Sequence, residues 1–517
     1  MNSTNGLRAV LLCGVAAFAI APAAHAASTA ATNAKIEALE KEVQQLNSEV
    51  EDLKKQNTPA QPVAAPADQV QDVEAQISDL KRSTSAQYAD TQAQIAAAPK
   101  ATIDNGRPTI SSADGKFTAS IRALGQFDSA YYSQSAQAVN TNAPDLSSGS
   151  NFRRAQLGVQ GKVFGDWSYY FNYDFGSSAG SESPGHIQSI YAEYDGLKPF
   201  AVRIGAYPPS AGLEDATSSS DTMFLERNSP ADAARNIAGG DGRDAVSLLY
   251  MGDQFFASLS LTGDKIADTG VFDEQTAFLG RVADLVYSDS DLKLALSGSG
   301  TYVFKAADNA AGAASTNTAS ISDPPELTVD NEGIKLVSTG NLQTSTIDQW
   351  AVEAGGEYDN FYAQGGYFAY DINQKQAGAP TFNFDGWYAQ ASWIFTGEAR
   401  PYNTATASFG APKPDKPFSL KDGGWGAWEL VGRYSVLNLN DNAGTLGTTI
   451  PVNASLFPVG LRGGEQDIWT AGLNWYPNQV IRFELQYQNI DVGRLSSSGA
   501  NAGQRIDTVA LRSQISL

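Results

Sequence analysis

From about Lys116 to Leu517 the chain alternates apolar and polar side chains in short segments, and no long apolar run interrupts that rhythm. In Ala155 to Val163 the odd positions are apolar or Gly and the even ones polar or Gly. Trp167, Tyr169, Phe171, Tyr173 and Phe175 interleave with Ser168, Asn172 and Asp174, and Ile481, Phe483, Leu485 and Tyr487 with Arg482, Glu484, Gln486 and Gln488. A period of two gives each strand one greasy and one wet face. Soluble sandwiches alternate too, so the greasy face needs further evidence. The segments run to about 9–12 residues, the length a tilted strand needs to cross a bilayer. Aromatics gather at segment ends, at Tyr131-Tyr132, Trp167, Trp387, Trp393, Tyr434 and Trp475-Tyr476, where interfacial girdles belong. Without apolar helices, a closed sheet is the remaining way to satisfy backbone groups in lipid. The expectation is an all-β transmembrane antiparallel barrel of about sixteen strands, preceded by an α-helical coiled coil.

Short connections such as Gly165-Asp166 and Pro477-Asn478 read as periplasmic turns. Ser133 to Gly149, Ala306 to Glu332 and Gly397 to Gly423 read as long outer loops. The stretch 205–242 exceeds the usual length of a connection and carries the apolar Met223-Phe224-Leu225. That triplet suits an inward-folded loop that narrows the lumen.

Residues 1–26 read as an export signal: Arg8, an apolar run from Ala9 to Ile20, and the small-x-small site Ala24-His25-Ala26. The sole cysteine, Cys13, lies within it, so a mature chain starting near Ala27 carries no thiol. In 27–58, Ile36, Leu39, Val43, Leu46, Val50 and Leu53 form a heptad seam. A Pro/Ala linker occupies 59–69, with Pro59, Pro62 and Pro66. A second, weaker helical segment with Val70, Val73, Ile77 and Leu80 opens 70–111, and the barrel domain spans 112–517. The seam suits self-association in the periplasm; its β-branched a and leucine d positions favour a parallel dimer.

The net charge of −21 argues against nucleic-acid binding, which needs a basic excess. His25 leaves with the signal and His186 stands in a Gly/Ser-rich loop, so neither a Ser-His-Asp triad nor a multi-histidine metal site is expected. No enzymatic activity and no cofactor are expected. Asp241-Gly242-Arg243-Asp244 and Asp330-Asn331-Glu332-Gly333 lack the full pattern of a calcium loop and read as turns. If the apolar face meets lipid, Arg122, Arg154, Lys162, Arg203, Lys293, Arg433, Arg482 and Arg512 point into the lumen. So do Asp174, Glu193, Glu353, Glu357, Glu429 and Glu484.

Phe152-Arg153-Arg154, Asp166-Trp167-Ser168-Tyr169, Tyr191-Ala192-Glu193-Tyr194 and Lys198-Pro199-Phe200 lead into a run with Gly205, Leu213-Glu214, Thr217-Ser218-Ser219, Phe224-Leu225-Glu226-Arg227 and Arg235 through Gly239-Gly240. This block, about Phe152 to Tyr250, resembles the phosphate-selective porin O and P family. The resemblance implies a sixteen-stranded trimer in the outer membrane with an inward third loop and a basic constriction. By position the constriction arginines fall on Arg153 and Arg154, then on Arg122, with Arg203 counted beside them. The family's lysine after the fifth strand is absent, since the stretch reads Tyr207-Pro208-Pro209-Ser210. The expected function is therefore passive diffusion of small solutes, with a modest preference for anions such as phosphate. Membrane lipid, lipopolysaccharide and a homotrimer are the expected partners, with peptidoglycan reached through the coiled coil. The alternative is a structural barrel whose coiled coil tethers the outer membrane to the cell wall.

Overall fold

The computed structural model describes residues 67–517 apart from 105, 137–145, 177–184, 267–272, 309–315, 330–333 and 456, and before them positions 41, 44, 45, 48, 51, 52 and 55. The expected signal, the first heptad seam, most of the Pro/Ala linker and Asp330 to Gly333 lie outside the described residues. Helix α1 (Ala67–Ala97) belongs to the first of two compact units, residues 1–101, and on it Val73, Ile77 and Leu80 are half-buried and their neighbours exposed. No described helix is long and apolar enough to cross a membrane.

Sixteen antiparallel strands close the second unit into a barrel. They are β1 (Thr118–Ala136), β2 (Gly149–Val163), β3 (Trp167–Asp174), β4 (His186–Leu197) and β5 (Phe200–Ala206). Next come β6 (Arg243–Met251), β7 (Phe255–Lys265), β8 (Thr276–Ser288), β9 (Leu292–Lys305), β10 (Leu342–Tyr358) and β11 (Phe361–Gln374). The last five are β12 (Phe382–Ile394), β13 (Ala427–Asp441), β14 (Leu461–Tyr476), β15 (Ile481–Gly493) and β16 (Gln504–Ser516). Each strand pairs with its neighbours in sequence, and β16 returns to β1 with Arg512 opposite Asp128. Closure leaves no edge in lipid.

The alternation follows this register. On β8, Ala277, Leu279, Arg281 and Ala283 are buried inside, while Phe278 and Val282 are about half exposed on the outer wall. Leu157, Ile204, Leu248, Leu259, Leu296 and Leu511 extend that outer apolar band, an area too large for a protein surface in water. Aromatics gather on the outer wall in two groups. At the end with the short turns, Phe361, Trp393 and Phe395 continue to Trp428, Trp475 and Phe483 through contacts of 5.3–6.4 Å. A second outward aromatic group, Trp350, Tyr367, Trp387, Tyr434 and Trp469, lies near the middle of its strands. Tyr132 and Tyr476, expected in the girdles, point inward and are buried instead, because each sits one register position from its outward neighbour.

One expectation fails on topology. Antiparallel strands alternate direction, so the β12–β13 connection, residues 395–426, leaves the end that carries the short turns 164–166, 198–199 and 477–480. The stretch from Gly397 to Gly423 is thus a long connection on the turn side and not an outer loop. Length alone does not reveal which rim a loop leaves; only the strand count before it does.

Candidate functional site

Among the described residues, three segments enter the barrel. Residues 207–242, between β5 and β6, carry α2 (Leu213–Ala216) and α3 (Ser229–Ala238). Asn228 caps α3 by accepting from the Ala231 amide at 2.9 Å, with Pro230 in the first turn. Gly386 on β12 lets α3 approach closely: a Cβ there would meet Pro230 at 2.9 Å and the Val436 carbonyl at 2.8 Å. Gly212 likewise gives the Glu353 carboxylate access to the Leu213 and Glu214 amides.

From the same rim, the hairpin of Ser322–Asp323 with Val337–Ser338 packs Ile321, Leu327, Val329, Leu336 and Val337 against inward Phe368, Tyr370, Leu437, Ile468, Ile490 and Ile506, beside Ile237 of α3. Glu326 in this hairpin ion-pairs Arg433 and accepts from the Ser229 amide of α3 at 2.8 Å. From the turn side, residues 398–412 reach the same region. Arg400 grips Glu429 through two bonds of 2.7 and 2.9 Å and donates to the Asp221 carbonyl at 3.1 Å. Thr217 donates to the Phe409 carbonyl at 3.3 Å, and Arg281 donates to the carbonyls of Thr406 and Ala407 at 2.8 and 2.6 Å. The inserts cover the apolar part of the inner wall on β11–β16, since apolar side chains facing a water-filled lumen gain by burial.

The polar wall of β1–β5 keeps open space. A cavity of about 280 Å³ is lined there by Arg122, Arg154, Arg203, Arg227 and Arg235, with Asp215 and Asp241. It borders a second cavity of about 340 Å³ toward the turn side, lined by Arg482, Lys413 and Asp221; Ala216, Ser218, Ser220, Thr406 and Ser516 line both. Three tyrosines interleave with the guanidinium groups: Arg122 lies 5.2 Å from the Tyr170 ring, Tyr170 stacks on Tyr191 at 5.1 Å, and Arg203 lies 4.4 Å from Tyr191 and 5.3 Å from Tyr207. Such contacts hold a guanidinium plane while leaving its N–H edge available.

The structure turns all eight wall cations inward and gives most of them carboxylates. Arg153, Arg154 and Arg512 converge on Glu226 at 2.7, 3.7 and 3.1 Å. Arg512 also binds Asp128 at 2.6 Å, and Arg154 donates to Gln126 at 2.7 Å. Arg203 pairs with Glu193 at 2.6 Å, Lys162 with Asp195 at 2.8 Å, Lys293 with Glu357 at 3.5 Å and Arg482 with Glu484 at 2.6 Å. Among the described residues Arg122 has no ion pair; it donates to Gln160 at 2.9 Å and is half-buried at the cavity wall.

Burial alone would raise the Glu226 carboxyl, but Arg153, Arg154 and Arg512 outweigh it and hold the group well below the usual carboxylate range. Asp241 is likewise held low against burial, chiefly by Arg235, whose own guanidinium pairs at 2.6 Å. Asp215, which pairs with Arg235 at 2.8 Å and Arg227 at 3.5 Å, completes this knot.

Sequence reasoning did not name Arg281, Arg400 and Glu326, and quoted Glu226, Arg227 and Arg235 only for the resemblance, with no role in the site. Arg281 was legible, because it alternates with Phe278, Gly280 and Val282 on a lipid-facing strand. The others lie on inserted connections, where no period marks the inward face. The Asp241 to Asp244 stretch makes arginine and backbone contacts, with Arg243 donating to the Gly239 and Gly263 carbonyls at 2.6 and 2.7 Å. No cluster suited to a metal ion occurs among the described residues.

A closed antiparallel barrel with a lipid-facing apolar band, an aromatic rim and arginine-lined internal cavities defines an outer-membrane channel protein. The family model for phosphate-selective porin O and P matches residues 125–515, and the chain belongs to that family. Porin O of Pseudomonas aeruginosa is 23% identical over 364 residues, covering 68% of this chain and 78% of that protein. An uncharacterized protein of Caulobacter vibrioides is 24% identical over 408 residues, covering 77% and 73%. Among solved structures, the outer membrane channel DcaP of Acinetobacter baumannii aligns with a TM-score of 0.42 at 11% identity, over 78% of this chain and 97% of that one. Pseudomonas putida OprB aligns with a TM-score of 0.45 at 9% identity, over 78% and 95%.

Proposed function

We propose that the chain is a diffusion porin whose passage runs between the inserted segments and the inner wall of β1–β5, with a modest preference for small anions, phosphate among them. The observation that carries this reading is the composition of the narrow cavity: five arginines line it against two aspartates. Selectivity is set where the passage is narrow and its walls have a low dielectric. Salt screens exposed charges beyond about 8–10 Å, so the side chains that line the cavity, and not the overall charge, carry the argument. Arg122, Arg154 and Arg203 act as anion contacts, with Arg153 at the edge of the site. A guanidinium fork suits an oxyanion through paired donors. Tyr207 occupies the stretch where the resemblance calls for a lysine, and its hydroxyl shares a hydrogen bond with Ser247 at 2.5 Å. Strong phosphate selectivity is therefore not part of the proposal.

Porin O carries a phosphate-selective family name, and the OmpT of Vibrio cholerae has been solved in a trimer form. We extend to this chain a homotrimer in which α1 and the preceding segment stand in the periplasm. Zero-current potentials across a KCl gradient test the pore reading. Wild type should favour Cl⁻, and Arg122→Ala with Arg154→Ala should move the potential toward K⁺. A wild-type pore that prefers K⁺ refutes the anion assignment, and the absence of any stepwise current favours a plugged, structural barrel.

A further inference from the structure

We propose that the tip of the β12–β13 connection, residues 413–426, is an anchor that dips into the phospholipid leaflet at the turn side of the barrel. The tip is a tight, ordered turn: the Ser419 amide donates to the Gly424 carbonyl at 3.0 Å, and the Ser419 hydroxyl donates to Asp422 at 2.9 Å. It presents Leu420 and Trp425, which are 92% and 72% exposed. Those are the side chains a turn in water has least reason to display.

The base of the tip is fastened to the outward aromatic rim. The Trp425 carbonyl accepts from the indoles of Trp428 and Trp475 at 3.2 and 2.9 Å, and the Phe418 ring meets Trp475 edge-on at 5.3 Å. The exposed pair thus continues a surface that already faces lipid at the depth where tryptophans settle. Lys416 and Lys421 are exposed on the same turn, beside exposed Asp415 and Asp422. Long lysine stems let the ammonium groups reach headgroup phosphates while Leu420 sits below them. The partner is a glycerophospholipid surface, and the ligand groups are its phosphates and upper acyl chains. This differs from the lumen chemistry, and neither depends on the other.

The test uses the full chain with Cys13→Ser and Leu420→Cys, labelled with an environment-sensitive NBD dye and reconstituted in phosphatidylethanolamine/phosphatidylglycerol vesicles. The expected result is a blue-shifted emission, quenched by nitroxide-labelled lipid, whereas the same dye at Ser497→Cys on the opposite rim shows water-like emission. Lys416→Glu with Lys421→Glu should reduce quenching, and the reduction should grow with the phosphatidylglycerol fraction. A water-like, unquenched signal at position 420 overturns the proposal, because the tip then stands in solvent. A blue shift without lipid quenching also overturns it, since a protein surface, such as a second copy, then covers the tip.

Discussion

Replacing Glu226 with Gln removes the charge on which three arginines converge while keeping the side chain's volume. In the structure Arg153, Arg154, Arg512, Glu226 and Asp128 form one contact group, which carries one net positive charge; the substitution makes it two. One added unit charge about 7 Å from a permeating ion contributes roughly 2 kcal/mol at an effective dielectric near 20. Screening by salt leaves about 1 kcal/mol. The anion gains and the cation loses, so the Cl⁻/K⁺ permeability ratio should rise roughly ten- to thirtyfold. The insert should lose about 1–3 kcal/mol of stability, since Arg512 keeps Asp128 and Arg154 keeps Gln126. Zero-current potentials in planar bilayers report the ratio, and heat-modified electrophoretic mobility reports whether the barrel stays folded. A folded variant whose potential is unchanged or moves toward K⁺ refutes the placement of this cluster beside the ion path. Because the folded carboxyl is held below its usual range, its stabilising share is complete above about pH 4.5 and is lost only as pH falls through the depressed value. Wild-type selectivity should therefore not change through Glu226 protonation between pH 7 and 5.

Arg400→Ala should free residues 398–412, because Glu429 would lose a bidentate partner in a dry site; about 3–5 kcal/mol of local stability is at stake, and higher, noisier single-channel conductance is the readout. Deleting Thr217 to Ser229 removes the Phe224 and Leu225 contacts and should raise conductance; an unchanged value would count against a constriction formed by this segment. Asp323 behaves oppositely to Glu226: burial, and then the neighbouring Asp232, push its carboxyl well above the ordinary range, with Lys335 opposing. A raised carboxyl contributes stability below its unfolded pKa and loses it as pH rises through the folded value, so Asp323→Asn should stabilise residues 318–338 at pH 8 and have little effect at pH 4, read by hydrogen exchange.

How far this was legible in the sequence depends on where a residue's direction is fixed. On a strand the direction follows from its outward neighbours: Phe483 and Leu485 toward lipid force Arg482 and Glu484 into the lumen, and the register agrees. Barrel class, strand rhythm and the inward face of Arg122, Arg154, Arg203 and Arg512 could all be read that way. The electrostatics of the site could not. An inventory of wall residues gives eight basic side chains against six acidic ones, yet the carboxylates on the inserts, Glu226, Asp215, Asp241 and Glu326, approach the wall and loop arginines without any periodicity to announce them. The connection after β12 shows the same limit, since its rim is settled only by counting strands, and Arg400 gains its role from folding back into the lumen. Neutralised pairs hold the inserts in place, and Arg122, half-buried at the cavity wall with no ion pair among the described residues, is the cation the proposed anion path would use first. On the proposed anion reading, the small remainder after pairing, and not the gross charge of the wall, sets the pore's preference.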